Sequence, residues 1–189
     1  MKKIFLLFIG ILLFIANIGF ASTPTKLYRN QQWQFSVQIP VEFEYVASRG
    51  PNVIMTSANK SHLVSKASIN IIAKLLPEAD YGTEMDILKT ISEMNHETYN
   101  SNKNMQLVSS NYLQIPNHVV LAEHVLTKYT YPDETFYLRS YMFTIVCGRK
   151  VFTLTYAADP YYFFTMYDKK FINSLSSFVD ETGWYWIRL

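Results

Sequence analysis

The stretch from Thr135 to Cys147 is apolar on both of its alternations. Phe136, Leu138, Met142 and Val146 fall on one side, and Tyr137, Tyr141, Phe143 and Ile145 on the other. A strand apolar on both faces is covered on both faces, so the chain needs packed material above and below whatever sheet holds it. Gly148-Arg149 joins this stretch to Lys150–Ala157, and a short link between β-rich flanks predicts a hairpin. Other segments read as strands by the same period-two test. Trp33 to Ile39 alternates, apolar at 33, 35, 37 and 39, until Pro40 stops it. Glu42–Val46 and Asn52–Thr56 flank an Arg49-Gly50-Pro51-Asn52 turn. Ser68–Leu76, Met105–Ile115 and His118–Tyr129 complete the set.

Two segments change period to about 3.6. Thr83 is placed to cap a helix carrying Ile87, Leu88, Ile91, Met94 and Thr98, with Glu84 and Asp86 complementing the dipole in its first turn. Asn100, Asn102 and Asn104 end it. Asp159-Pro160 announces a second helix, a capping side chain followed by proline at the first helical position. Phe163, Phe164, Tyr167, Phe171, Ile172, Leu175 and Phe178 then form one broad face. These elements predict an α+β chain, an α-β-α sandwich whose largely antiparallel sheet carries a helix on each face.

The N-terminus is of another kind. Met1-Lys2-Lys3 precedes an apolar run from Ile4 to Ile15, and Gly19 and Ala21 stand where a signal peptidase requires small residues. Residues 1–21 therefore read as a secretory signal, cleaved before Ser22, and residues 22–189 as a single globular domain with an aromatic tail at 184–189. An uncleaved membrane anchor is the competing reading of the same run. No cysteine follows the cut to carry a lipid, so the mature product is expected without stable membrane insertion. The whole chain has a formal net charge of +2. Lys2 and Lys3 leave with the leader, so 15 basic residues then face 15 acidic ones. With no clustered Lys and Arg, nucleic acid is excluded as an expected partner.

The order of elements resembles a known family. A secretory leader, the aromatic opening strand Gln31-Gln32-Trp33-Gln34-Phe35-Ser36-Val37-Gln38-Ile39-Pro40, a middle helix, a long hairpin and the closing Phe171-Ile172-Asn173-Ser174-Leu175-Ser176-Ser177-Phe178 resemble the PsbP-like and DcrB-like superfamily over most of residues 28–180. The resemblance is of order and texture, without an invariant motif. It implies an α-β-α sandwich, usually exported or lumenal, that acts by binding and assembly. It transfers no functional residue, because members of this fold serve unrelated partners. The tail Trp184-Tyr185-Trp186-Ile187-Arg188-Leu189 departs from the family picture.

Candidate chemistry is sparse. The histidines are His62, His96, His118 and His124. His118 and His124 face the same side of one strand, but six residues at ~3.3 Å put them about 20 Å apart. Glu93-Met94-Asn95-His96 has the Glu-x-x-His spacing of di-iron bundles, which need two such motifs and further glutamates. Neither a metal nor another cofactor is expected, and Glu123-His124 reads as a surface pair. Cys147, the single cysteine, reads as a buried, inert thiol rather than a nucleophile. There is no nucleophile elbow, no Ser-x-x-Lys and no glycine-rich phosphate loop.

The aromatics remain. After the leader, 9 Phe, 14 Tyr and 3 Trp are left in 168 residues, and tyrosine is favoured at recognition surfaces. Tyr129, Tyr131, Trp184, Tyr185 and Trp186 are the candidate partner-binding residues, although the apolar tail reads first as packed on the sheet edge or core. The expected function is a non-enzymatic binding or assembly protein. It would act in the periplasm of a Gram-negative bacterium or outside the cell, as a monomer or weak oligomer, with a protein or envelope component as partner. A small secreted hydrolase with a scattered-residue site and a carrier of a small apolar ligand are the alternatives.

Overall fold

A computed structural model of the chain describes residues 24–47, 50, 52–59, 67–78, 82–160 and 168–182. The predicted leader, His62, the front of the aromatic helix face at Phe163, Phe164 and Tyr167, and the Trp184–Trp186 tail lie outside the described residues.

Strands β3 (Phe43–Val46), β4 (Val53–Asn59), β5 (Ser68–Leu75), β6 (Met105–Ile115), β7 (His118–Thr130), β8 (Thr135–Cys147) and β9 (Lys150–Ala158) form a seven-stranded sheet. Its order is β3-β4-β5-β9-β8-β7-β6, and every pairing is antiparallel. Helix α1 (Glu84–Ser101) packs on β6, β7 and β8. On the opposite face lie helix α2 (Asp168–Leu175) and a second sheet of β1 (Thr25–Asn30), β2 (Phe35–Pro40) and β10 (Val179–Asp180). The sandwich is as expected, with a helix on each face, but β2 belongs to a separate small sheet. That sheet escapes a period count: β1 contains only Leu27 and Tyr28 as apolar residues, and β10 is two residues long.

Local chemistry accounts for the boundaries. Thr83 caps α1, its side chain accepting from the Asp86 backbone N–H at 3.2 Å while the Asp86 carboxylate accepts from the Thr83 N–H at 3.0 Å. This reciprocal box satisfies two otherwise orphaned donors. At the β8–β9 turn Gly148 takes φ +58°, and at the β6–β7 turn Asn117 takes φ +66°, a region that only Gly and Asn enter readily.

Two clusters hold the layers together. Ile87 and Leu88 of α1 meet Leu121, Val146 and Val151 on one face of the sheet. The larger core fills the other face, where Phe35, Phe43, Phe152, Tyr156 and Phe171 are fully buried. The Phe171 ring lies 5.4 Å from that of Phe143 and 5.2 Å from that of Tyr156. Burying such a side chain stabilises by about 1.5–3 kcal/mol. Polar ties join the two sheets: Lys150 Nζ donates to the Trp33 carbonyl and to Asp180 Oδ1, each at 3.1 Å. Lys170 of α2 pairs with Glu42 at 2.6 Å.

Three expectations are corrected. Met94 and Ile172, placed on apolar helix faces, are exposed, because each helix touches the protein over a narrower stripe than its apolar residues span. Glu123 and His124 are not a surface pair. Both are buried, since β7 is a central strand beneath α1 on one side and the main core on the other.

Candidate recognition surface at the β7–β8 tip

Tyr129 and Tyr131 lie where the β7–β8 hairpin outruns the sheet. Pairing of β6 with β7 begins at Met105 opposite Thr127, and pairing of β8 with β9 begins at Arg139 opposite Ala158. Beyond those positions the strand pairing among the described residues is that of β7 with β8 alone, continuing to Thr130 opposite Thr135, while the Lys128 N–H still donates to the Asn104 carbonyl at 2.8 Å. The two-stranded ladder runs about 10 Å past the last β6–β7 pair at ~3.3 Å per residue. A hydrogen bond from Tyr131 N–H to the Glu134 carbonyl, 2.8 Å, closes the turn.

Aromatic rings stiffen this tip. Tyr129 and Phe136 are direct cross-strand partners, and their rings stack with centroids 5.1 Å apart at an interplanar angle of 15°. Tyr131 stacks on the same Phe136, 5.7 Å away at 7°. Such pairs contribute about 0.5–1.5 kcal/mol each beyond area burial. Tyr129 is 39% and Tyr131 54% exposed, with Tyr137 at 44%. Open grooves flank the stack, one bounded by Asn104, Met105 and Lys128, the other by Ala58, Ser68, Glu134 and Leu138. The chain thus holds preformed rings in water with a cation on one side and an acid on the other. Phe136 and Tyr137 were not singled out by sequence, because the two-sided apolar pattern of β8 reads as core along its whole length. The unequal lengths of β7 and β6 were the available signal.

The groups with altered ionisation lie elsewhere. Under α1, Asn95 Nδ2 donates to Glu123 Oε2 at 2.7 Å and the Tyr99 hydroxyl donates to the same oxygen at 3.3 Å. Burial raises the Glu123 carboxyl above its usual range despite these two bonds, and burial beside Glu123 raises Tyr99. Glu123 Oε1 has no hydrogen-bond partner among the described residues. His124, on the other face of β7, is lowered by burial and by Arg139.

At the far end of the sheet Cys147 Sγ lies 3.8 Å from His118 Nε2 and 3.9 Å from Nδ1, and Glu84 Oε2 is 3.9 Å from His118 Nδ1. The near-equal distances single out neither ring nitrogen as the sulfur's partner. Burial pushes the thiol up to about 12, aided by Asp180 and Glu84. A thiol held protonated is a poor nucleophile and a poor metal ligand, so this trio is suited to packing. His96 is exposed on α1, and no group of three metal-ligating side chains occurs among the described residues.

An apolar groove of about 340 Å³ opens between α1 and the sheet, lined by Ile72, Leu76, Ile91, Met94, Met142 and Val151, with Lys74 and Asn95 at its walls. Aliphatic and methionine side chains make most of its lining.

No family model and no curated protein matches the sequence. Solved structures do. The solution structure of cyanobacterial PsbP from Synechocystis sp. PCC 6803 superposes with a TM-score of 0.56, covering 86% of this chain and 95% of that one at 14% identity. The chain has the PsbP-like fold. A crystal structure from Bacteroides thetaiotaomicron VPI-5482 matches with a TM-score of 0.58 at 13% identity, over 84% of this chain, which spans about half of that protein (49%). LpqN of Mycobacterium tuberculosis, described as involved in cell envelope biogenesis, matches with a TM-score of 0.52 at 8% identity, over 82% of this chain and 84% of its own. At these identities the likeness is one of fold. Among the described residues, no helix of this chain is long and apolar enough to cross a membrane.

Proposed function

We propose that the chain is an exported, non-enzymatic binding or assembly protein of the bacterial envelope or secreted fraction, acting after removal of residues 1–21, and that it takes a protein partner on the β7–β8 tip. The observation that carries this reading is the projecting stack of Tyr129, Phe136 and Tyr131. Rigid tyrosines give contact area at low entropic loss, and such residues dominate binding energy at interface centres. LpqN, with the same fold, is described as involved in cell envelope biogenesis, which supports an envelope address.

The test is site-specific photocrosslinking in the exporting host, with the probe at Tyr131 and, as control, at exposed Leu27 of β1. One discrete adduct from position 131, absent from position 27 and lost in a Tyr129→Ala/Phe136→Ala background, is the expected result. Equal adducts from both positions, or recovery of the protein only from cytoplasm on fractionation, overturn the reading.

The aliphatic groove favours a second reading, a carrier of a small amphipathic anion whose apolar body lies against Ile91, Met94 and Met142 and whose charge meets Lys74. A medium-chain fatty acid titrated by calorimetry tests it. Binding weakened by Lys74→Gln supports it, and no heat up to millimolar concentration ends it.

A further inference from the structure

Strand β6 closes one end of the seven-stranded sheet, and among the described residues no strand pairs with its outer side. The other edges carry the usual guards against strand addition. β3 is four residues long and contains Glu44, β1 carries Lys26 and Arg29, and β10 is two residues long. β6 has none of these. It runs for 11 residues, Met105–Ile115, without a charged side chain or proline. Val108, Tyr112 and Leu113 are exposed along it, at 49%, 43% and 41%. A long, uncharged, partly apolar edge is a template for another strand.

Its sequence names the partner. About Ser110 the strand mirrors itself in chemical class: Ser109 matches Asn111, Val108 matches Tyr112, Leu107 matches Leu113, Gln106 matches Gln114 and Met105 matches Ile115. An antiparallel strand related by a two-fold axis at Ser110 sets Ser109 opposite Asn111 and Val108 opposite Tyr112, polar against polar and apolar against apolar, and no like charges are opposed anywhere along the strand. We propose that two copies of this chain pair antiparallel along β6 about a two-fold axis at Ser110, joining their large sheets into one. Such a contact is isologous and closes on itself, leaving no further edge of this kind.

The β-bulge limits the contact. Val108 is the extra residue between Leu107, opposite Val125, and Ser109, opposite His124, so the faces keep step only from Val108 to Tyr112. Pairing beyond that window continues past two symmetric bulges. Val108 of one copy then covers Tyr112 of the other on both sides of the axis. An interface of this size is below the standard class, so the dimer dissociates at concentrations on the order of 10–100 μM.

Cross-linking tests the register. On the two-fold axis the two Ser110 Cα atoms lie about 4.5–5.5 Å apart, within reach of a disulfide. Gln114 lies about 27 Å from its copy at ~3.3 Å per residue. The protein recovered from cells, oxidised at about 100 μM, is expected to form a disulfide dimer as Ser110→Cys and not as Gln114→Cys, the native Cys147 being buried. In a second arm, Ser109→Lys/Asn111→Lys and Ser109→Glu/Asn111→Glu each weaken self-association about tenfold, and an equimolar mixture restores it, because position 109 of one copy faces 111 of the other. Circular dichroism and thermal melts establish that each variant is folded. A wild-type protein that sediments as a monomer up to about 1 mM, equal cross-linking at both positions, or a mixture no tighter than its components overturns the proposal.

Discussion

Asn95 of α1 donates a 2.7 Å hydrogen bond to Glu123 of β7, fastening the helix to the sheet through a carboxyl that solvent does not reach. The contact is a local conflict: a buried acid is retained with one oxygen satisfied twice and the other not at all among the described residues. Its consequences appear with pH.

Burial raises Glu123 in the folded state above its unfolded value near 4.5, so the folded protein holds this proton more tightly than the unfolded chain. The resulting stability is complete below about pH 4.5 and is lost as pH rises through the folded-state value. Glu123→Gln keeps an acceptor for Asn95 and removes the charge. The variant is expected to melt at higher temperature than wild type at pH 7–8, by the equivalent of about 1–3 kcal/mol, and to match it near pH 4. The difference between the two melting curves across pH 4–8 isolates this group from His124, whose lowered value acts in the opposite direction below pH 6.5.

Cys147, with its thiol raised to about 12, is expected to resist Ellman's reagent at pH 8 in the native protein. Its labelling rate should rise with urea in step with the loss of circular dichroism. Rapid labelling without denaturant would show the thiol to be accessible and would reopen the nucleophile reading.

Phe171 anchors α2 between Phe143 and Tyr156 at 1% exposure. Phe171→Ala is expected to lower unfolding stability by about 3–5 kcal/mol, read from the urea midpoint at unchanged slope. Ile172→Ala, one residue on and exposed, should change it by no more than about 0.5 kcal/mol.

Tyr129→Ala/Tyr131→Ala removes two rings from the hairpin tip and nothing from either core. The double variant is expected to lose about 1–3 kcal/mol, from the two stacks, and to unfold in a single transition. Loss of partner adducts at that small change in stability separates a recognition defect from a folding defect.

The layered architecture was legible because its strongest signals are local and periodic. The double alternation of β8 demanded cover on both faces, Thr83 and Asp86 announced α1, and Gly148 announced the β8–β9 turn. What was not legible depends on which strand becomes central. Glu123 and His124 sit in an ordinary polar-apolar sequence, and only the order β8-β7-β6 beneath α1 places them inside. Tyr129 and Tyr131 were visible as aromatics at a turn. Their union with Phe136 needed the register of β7 on β8 and the shortness of the neighbouring strands. The mirrored chemistry of β6 lay in plain view, but it acquires meaning only once β6 is an edge.

The projecting hairpin also has a mechanical consequence. Its two strands run without interruption from Thr130 and Thr135 at the tip to Val120 and Ile145, both fully buried. A pull on one strand alone, along its axis, loads the whole ladder of paired residues at once, as shear. A sideways pull on the tip opens one pair at a time. A partner gripping Tyr131 therefore meets a stiff handle in one direction and a peeling one in the other.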